Sequence, residues 1–157
     1  MNTFTVSFFG HRNFSEHYLV EEKLVDIIKE LIRTKEYVEF VVGRNGEFDI
    51  FVASCVRIAK KELFNENSSL ILCLPYISAE YENNRESFEE FYDEVYVCEK
   101  SSTAHYKAAI QIRNREIVDN SNLVICFIKN KSGGAYKTLQ YASKMEKEII
   151  NLAEHEK

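Results

Sequence analysis

The chain of 157 residues has the length of one ordinary domain, and it can bury a core without a disulfide or a metal ion to hold it together. Hydrophobic residues make up 45% and charged residues 29%, which is typical of a globular protein and excludes a disordered chain. Lys and Arg number 20 and Asp and Glu 25, so the net charge is −5. This charge excludes a protein that binds nucleic acid through bulk basicity and leaves open only a local basic site.

The cysteine pattern indicates neither disulfides nor a metal site. Cys55, Cys73, Cys98 and Cys126 form no CxxC pair and no cluster with histidines, and three of them lie in apolar runs. Such residues are typical of buried thiols in a reducing cytoplasm. Residues 1–9 lack the features of a signal peptide, and no apolar run approaches the ~18 residues that span a membrane. We therefore expect a soluble cytoplasmic protein with no membrane partner, no metal and no cofactor.

The predicted elements alternate between strands and helices along the chain. In order, the sequence predicts a strand over Phe4–Phe9, a helix that Ser15 can cap, a strand over Tyr37–Val42, a helix over Phe48–Leu63, a strand over Ser69–Leu74, a long loop with one helical turn over Tyr76–Tyr92, a short strand over Glu94–Cys98, a helix over Ala104–Asp119, a strand over Asn122–Ile128, a helix over Gly134–Lys147 and a closing strand over Ile149–Leu152. No internal repeat interrupts this order.

Strand–helix–strand units of this kind predict an α/β fold in three layers, a parallel sheet with helices on both faces. Ligands of such sheets bind beyond the carboxyl ends of the strands, at the point where the strand order reverses. Polar and glycine residues follow the first, second and fifth predicted strands. These three strand ends are therefore the candidate binding region.

Two candidate clusters follow the first two strands. After the first strand, Gly10 permits a close backbone approach, and His11 and Arg12 can present donors to an anionic ligand. After the second strand, Gly43 and Gly46 stand three residues apart just before a helix, whose first backbone N–H groups can hold a phosphate. Each cluster also fits a plain polar turn. The carboxylates at 47 and 49 suit the helix dipole, or either could bind a ribose hydroxyl.

Two more clusters lie later in the chain. Arg113 falls near the apolar face of its predicted helix and Arg115 does not, so a solvated charge run is the alternative to a ligand site. Ser132, Gly133 and Gly134 lie between an apolar strand and an amphipathic helix, where a glycine pair can form an anion-binding nest or a plain loop.

Other catalytic patterns are missing from the sequence. It contains no GxGxxG fingerprint, P-loop, GxSxG elbow or HExxH motif. His17, His105 and His155 stand in polar contexts typical of surface histidines. The acidic run Glu80–Glu94 is also rich in aromatic residues, which favours a solvated, partly packed segment over a metal site.

Taken in order, the four clusters resemble the SLOG superfamily, the Rossmann-like group that links the Smf/DprA proteins and the LOG nucleotide hydrolases. The motifs are Phe9-Gly10-His11-Arg12, then Gly43 to Asp49, then Arg113-Asn114-Arg115 to Asp119, then Ser132-Gly133-Gly134. The GHR opening and the helix leading into IVDNSNLVICFI look most like the YpsA-like branch. The resemblance runs from Phe4 to Leu152, and it implies one SLOG-like Rossmann domain over residues 1–157.

The resemblance implies a nucleotide or a nucleotide-derived ligand at the strand carboxyl ends. Carried over residue by residue, it places Gly10, His11 and Arg12 along the pocket. By the same resemblance, the second wall of the pocket is formed by Gly43, Gly46, Glu47 and Asp49. It also implies that Arg113 and Arg115 face a phosphate, which is surrounded by Ser132, Gly133 and Gly134. Arg44, Asn45 and Ala135, within the same motifs, complete the candidate ligand-binding set.

The chain departs from the hydrolase branch at one motif. That branch carries Gly-Gly-x-Gly-Thr-x-x-Glu, whose Glu assists cleavage of the N-glycosidic bond. Here the sequence is Gly133-Gly134-Ala135-Tyr136-Lys137-Thr138-Leu139-Gln140, with no third glycine in register and with Gln in place of Glu. A carboxamide cannot act as a general base, so we expect weak or absent hydrolase activity of this type.

Three functions are consistent with these observations. The first is a nucleotide-binding sensor or sequestering protein, a role proposed for family members in bacterial conflict systems. The second is a nucleoside monophosphate N-glycosidase that uses Glu47 or Asp49 as its carboxylate. The third is a DNA-processing accessory, which the net charge of −5 disfavours, so we expect no nucleic-acid partner. An apolar helix face could support a homodimer, as in many relatives.

Overall fold

Strands and helices alternate through the chain, of which residues 2–155 are described in a computed structural model. Among these residues the strands are β1 (Thr3–Gly10), β2 (Tyr37–Val42), β3 (Ser68–Leu74), β4 (Glu94–Val97), β5 (Leu123–Phe127) and β6 (Glu148–Asn151). The helices are α1 (His17–Thr34), α2 (Glu47–Leu63), α3 (Ala79–Asn83), α4 (Arg85–Phe91), α5 (Glu99–Ser102), α6 (Tyr106–Asp119) and α7 (Gly134–Lys144), followed by a 3₁₀ turn over Leu152–His155.

The strands form one parallel sheet in the order β4-β3-β2-β1-β5-β6. Strands β2, β3 and β4 are added in turn on one side of β1, and β5 and β6 lie on its other side. In register, Val6 of β1 lies between Phe40 of β2 and Leu123 of β5. The strand order therefore reverses between β1 and β5. This arrangement confirms the predicted α/β fold with a parallel sheet.

The two faces of the sheet bury two separate apolar clusters, because successive strand residues point to opposite sides. Val6 and Phe8 of β1 pack in the larger cluster, with residues of α1 and α2. Phe9 packs in the smaller cluster with Val118 of α6 and Ala142 of α7. Helices thus cover both faces, which gives the three predicted layers.

The prediction of a long loop over Tyr76–Tyr92 is wrong, because this segment forms the two short helices α3 and α4. Ser78 caps α3 by accepting the N–H of Tyr81 at 3.2 Å. The rings of Tyr81, Phe88 and Tyr92 pack against one another and against the larger core. Each helix has two turns or fewer, which is too short for a 3.6-residue apolar period to show in the sequence.

Two other helix starts differ from the prediction. The helix expected to begin at Ala104 is divided into α5 and α6, and His105 caps α6 by accepting the N–H of Lys107 at 3.2 Å. Ser15 is not a cap, since Glu16 directly precedes α1 and no side chain caps this helix. Within residues 2–155, every helix is too short or too polar to cross a lipid bilayer.

Candidate functional site

The carboxyl ends of β1, β2 and β5 meet at one cavity of about 330 Å³. The cavity lies where the strand order reverses, which is the usual ligand position in an open α/β sheet. The predicted site residues along its wall are Gly10, His11, Arg12, Gly43, Asn45, Gly46, Asp49, Arg113, Gly133, Gly134 and Ala135. The fold thus brings all four sequence clusters to one place, while ligand binding by these residues stays a prediction.

Two predicted residues of the β2–α2 segment lie outside this wall. Arg44 donates from Nε to Glu80 at 3.0 Å, and its guanidinium lies over the ring of Phe88. It therefore connects the segment to α3 and α4. Glu47 accepts the backbone N–H of Phe14 at 2.9 Å through Oε2. This bond ties the start of α2 to the loop after β1, so Asp49 is the only carboxylate of the predicted pair along the wall.

Arg115 and Ser132 are also outside the cavity wall. Two residues along a helix turn the side chain by about 200°, so Arg115 lies on nearly the opposite side of α6 from Arg113. The Arg115 guanidinium lies over the ring of Tyr141, 5.2 Å from its centroid. Ser132 is exposed in the loop before α7. Contact of either side chain with a ligand stays a prediction.

Five wall residues lie outside the candidate ligand-binding set: Phe8, Phe9, Ile110, Gln111 and Asn114. Phe9 and Asn114 belong to the quoted motifs, whereas Phe8, Ile110 and Gln111 do not. Ile110 lies one turn before Arg113 on α6, so helical spacing from the predicted arginine could have identified it.

Arg113 is a buried cation beneath the cavity, with 2% of its surface exposed. Its Nη1 donates to the carbonyl of Cys73 at 3.0 Å, its Nη2 to Oδ1 of Asn45 at 2.7 Å, and its Nε to Oδ1 of Asn114 at 3.0 Å. A guanidinium has five N–H groups, so these bonds use three of them. Burial lowers the pKa of Arg113, and the negative charge of Asp49 opposes that change.

The glycine at 43 makes room for this guanidinium. A Cβ atom on Gly43 would lie 3.0 Å from Nη1 of Arg113, closer than ordinary van der Waals contact. The glycine therefore lets the end of β2 lie directly against the arginine. Through Cys73 and Asn45, Arg113 connects the carboxyl end of β3 to the segment that follows β2.

Asp49 occupies the amino end of α2, where the sequence predicted a phosphate. Its Oδ2 accepts the backbone N–H of Asn45 at 2.9 Å, and the carboxylate also interacts with the backbone N–H of Gly46. Burial raises the pKa of Asp49, although part of the residue stays accessible to solvent, and both N–H groups and Arg113 oppose the rise. The carboxylate thus takes up donors that an anion would need at this helix.

The amino end of α7 is built differently and is open toward the cavity. Gly133 has a φ of 93°, a conformation that L side chains rarely adopt, and a Cβ atom there would meet nothing within 4 Å. No side chain caps this helix. The carbonyl of Gly134 accepts hydrogen bonds from Nε2 of Gln111 at 3.0 Å and from the hydroxyl of Thr138 at 3.1 Å. The bond from Gln111 fixes the first turn of α7 against α6, and the bond from Thr138 lies within α7.

Close packing explains two further glycines of the wall. A Cβ atom on Gly10 would lie 2.3 Å from Cγ of Phe48, and one on Gly46 would lie 2.8 Å from Cα of Arg12. Both positions need glycine so that the loops after β1 and β2 can touch. This contact includes the hydrogen bond from the backbone N–H of Glu47 to the carbonyl of Arg12 at 2.8 Å.

The wall of the cavity combines two guanidinium side chains, one carboxylate, side-chain amides and the amino end of α7, which are groups that can bind a small polar anion. Among the described residues, no three His, Cys, Asp or Glu side chains are grouped to hold a metal ion.

The comparisons with known proteins identify the fold. No protein-family model matches the sequence, and no curated protein matches it. Several solved structures match the fold. Among them are DNA processing protein A of Helicobacter pylori (17% identity, TM-score 0.61), DNA processing protein A (DprA) of Streptococcus pneumoniae (16%, 0.68) and the structural-genomics target TM1055 (14%, 0.60).

The match to the Helicobacter pylori protein covers 93% of this chain and 63% of that protein. The match to the Streptococcus pneumoniae protein covers 94% of this chain and 49% of that protein, and the match to TM1055 covers 93% and 72%. The chain therefore spans less than two thirds of either DNA processing protein. At these identities the likeness shows a shared Rossmann-like fold. The Helicobacter pylori protein is described by its mode of binding single-stranded DNA. A protein of this fold thus binds nucleic acid, so the comparison does not support our expectation from net charge that nucleic acid is excluded as a partner.

Proposed function

We propose that this protein binds a nucleotide or a nucleotide-derived small molecule in the cavity at the ends of β1, β2 and β5. We also propose that residues 1–157 form one domain of the SLOG superfamily, nearest its YpsA-like branch. The fold shared with DNA processing protein A supports the assignment to the SLOG superfamily. The observation that carries the function is the uncapped amino end of α7, which lies beside the buried Arg113 in a cavity at the switch point.

The phosphate of the ligand binds at the first turn of α7. The backbone N–H groups that begin a helix have no partner within the helix, and they carry its partial positive charge. Open space surrounds the position that a Cβ atom would take on Gly133, so an anion can come close to the backbone there, while the side chain of Gln111 lies beside Gly134. Arg12, exposed at the same wall, supplies a second positive charge.

The remainder of the ligand binds between α6 and α2. Gln111 offers its side-chain amide on one side, and Asp49 offers a carboxylate that can accept a hydrogen bond from a ribose hydroxyl. Ile110 supplies apolar surface. The volume of about 330 Å³ is at the lower end of small-molecule sites, which fits a mononucleotide-sized ligand better than a dinucleotide.

Two alternatives are tested along with this proposal. An N-glycosidase would need a carboxylate near the glycosidic bond, and Asp49 is the carboxylate of the wall that could serve. A protein that binds single-stranded DNA would contact the phosphate backbone of the DNA where it crosses the mouth of the cavity. The exposed Lys131 and Lys137, which flank the amino end of α7, favour that alternative.

The proposal is tested by a thermal-shift screen followed by calorimetry. The ligands are nucleoside mono-, di- and triphosphates, cyclic nucleotides, NAD-derived molecules and a short oligothymidylate. A ligand at 100 times its Kd stabilises the protein by about 2.7 kcal/mol, which a thermal shift detects. A shift with the oligothymidylate alone would favour DNA binding.

A matched pair of variants locates the site. Ala135→Asp adds a negative charge to the first turn of α7, where it suits the helix dipole but repels a phosphate. Ala79→Asp makes the same change in the first turn of α3, outside the cavity. We expect Ala135→Asp to weaken nucleotide binding at least tenfold at an unchanged or higher melting temperature, and Ala79→Asp to bind as the wild type does. Equal binding by both variants would contradict the proposed site.

A further inference from the structure

His11 stands at the cavity wall, yet its imidazole is already used within the protein. Its Nε2 accepts the backbone N–H groups of both Lys129 and Asn130, each at 3.1 Å. These two residues lie in the segment that leads from β5 to Gly133 and the start of α7. His11 therefore connects the loop after β1 to the loop that carries the proposed phosphate site.

The direction of these bonds determines the state of the ring. A backbone N–H can only donate, so Nε2 must present its lone pair, and the neutral ring then carries its proton on Nδ1. A doubly protonated imidazolium has no lone pair and cannot accept either bond. The charged groups along the same wall are Arg12, Arg113 and Asp49. Lys129, on the loop itself, pairs with Glu16 at 3.6 Å.

We infer that the neutral His11 ring is a positioning residue, which holds the β5–α7 loop so that the amino end of α7 faces the ligand. This inference rests on the proposed function for its effect on nucleotide binding. It assigns His11 the role of an acceptor for the protein's own backbone, where the sequence motif predicted a donor to the ligand. The bound phosphate is then contacted by the loop that His11 holds.

A pair of amide variants separates this role from simple loss of the ring. Glutamine places its side-chain oxygen at about the distance of Nε2, so His11→Gln keeps an acceptor for the loop. Asparagine is one methylene shorter, so His11→Asn carries the same amide group but cannot reach the two N–H groups. The urea midpoint of each variant shows whether it is folded, and His11→Gln serves as the matched control.

The first measurement needs no ligand. Amide hydrogen exchange at Lys129 and Asn130 reports whether the loop is held. At pH 7.5 we expect His11→Gln to protect these amides within about threefold of the wild type and His11→Asn to lose at least tenfold. Equal protection in all three proteins would overturn the inference.

The second measurement uses AMP as the probe. We expect its affinity at pH 7.5 to fall at least tenfold in His11→Asn and to stay within about threefold of the wild type in His11→Gln, which keeps the acceptor. AMP affinity that is the same in His11→Asn and the wild type would overturn the effect on binding. If AMP binds none of the proteins, the proposed function loses support, and the exchange data still decide the role of His11.

Discussion

Replacement of Arg113 by methionine tests whether the guanidinium network holds the cavity together. The substitution keeps most of the side-chain volume and removes the donors to Cys73, Asn45 and Asn114. The Cys73 carbonyl and the Asn114 amide belong to buried residues, and a buried acceptor without a donor costs about 1–3 kcal/mol. Loss of the buried charge offsets part of this cost, so we expect a net loss of about 3 kcal/mol.

The matched control for this change is Arg115→Met on the same helix. Arg115 is exposed, and its contact with the ring of Tyr141 contributes about 0.5–1 kcal/mol. Arg113→Lys keeps the charge but lacks the planar fork that reaches three acceptors, so its stability should lie between those of Arg113→Met and the wild type.

Urea unfolding followed by circular dichroism measures these free energies, provided that the three variants share one m-value. A loss of about 3 kcal/mol corresponds to a melting temperature about 6–12 °C lower for a chain of this size. Unfolding free energies of Arg113→Met and Arg115→Met that agree within about 0.5 kcal/mol would refute the role given to the buried guanidinium.

Four further predictions concern the site and the core. Gly10→Ala should lower the free energy of unfolding, measured in urea, by about 1–3 kcal/mol, because its Cβ atom would lie 2.3 Å from Cγ of Phe48. An unchanged urea midpoint would contradict this packing. Burial raises the pKa of Cys55 and Cys126 to about 12, so their thiols should not react with Ellman's reagent at pH 8 until the protein unfolds. These two thiols ionise near pH 9.0 only in the unfolded chain. Their contribution to the free energy of unfolding should therefore be fully present below pH 9 and should fall above it by about 1.4 kcal/mol per pH unit for each thiol. A constant melting temperature from pH 8 to pH 10.5 would contradict this prediction. Nucleoside monophosphates incubated with the protein should release little free base, since Gln140 stands where the hydrolase motif has Glu. Robust release of base that is lost when the Asp49 carboxylate is replaced would instead favour the N-glycosidase.

The sequence by itself determined the architecture and the place of the cavity. Apolar runs such as Tyr37–Val42 are long enough to identify buried strands, and the glycines that follow them mark the strand ends. Parallel strands in alternation with helices have their carboxyl ends at one edge of the sheet, so residues distant in sequence, such as Gly10 and Gly133, were expected to meet. Short helices were missed, because two turns or fewer show no apolar period.

Only the tertiary structure decided what each residue of the motifs does. Arg113 and Arg115 are alike in sequence, but the turn of α6 buries one beneath the cavity and leaves the other over Tyr141. Asp49 accepts hydrogen bonds at the amino end of α2, whereas no side chain caps the amino end of α7, which is where we propose that the anion binds. His11 accepts bonds from a loop more than a hundred residues away. These roles depend on contacts between separate segments, and local sequence patterns carry no record of such contacts.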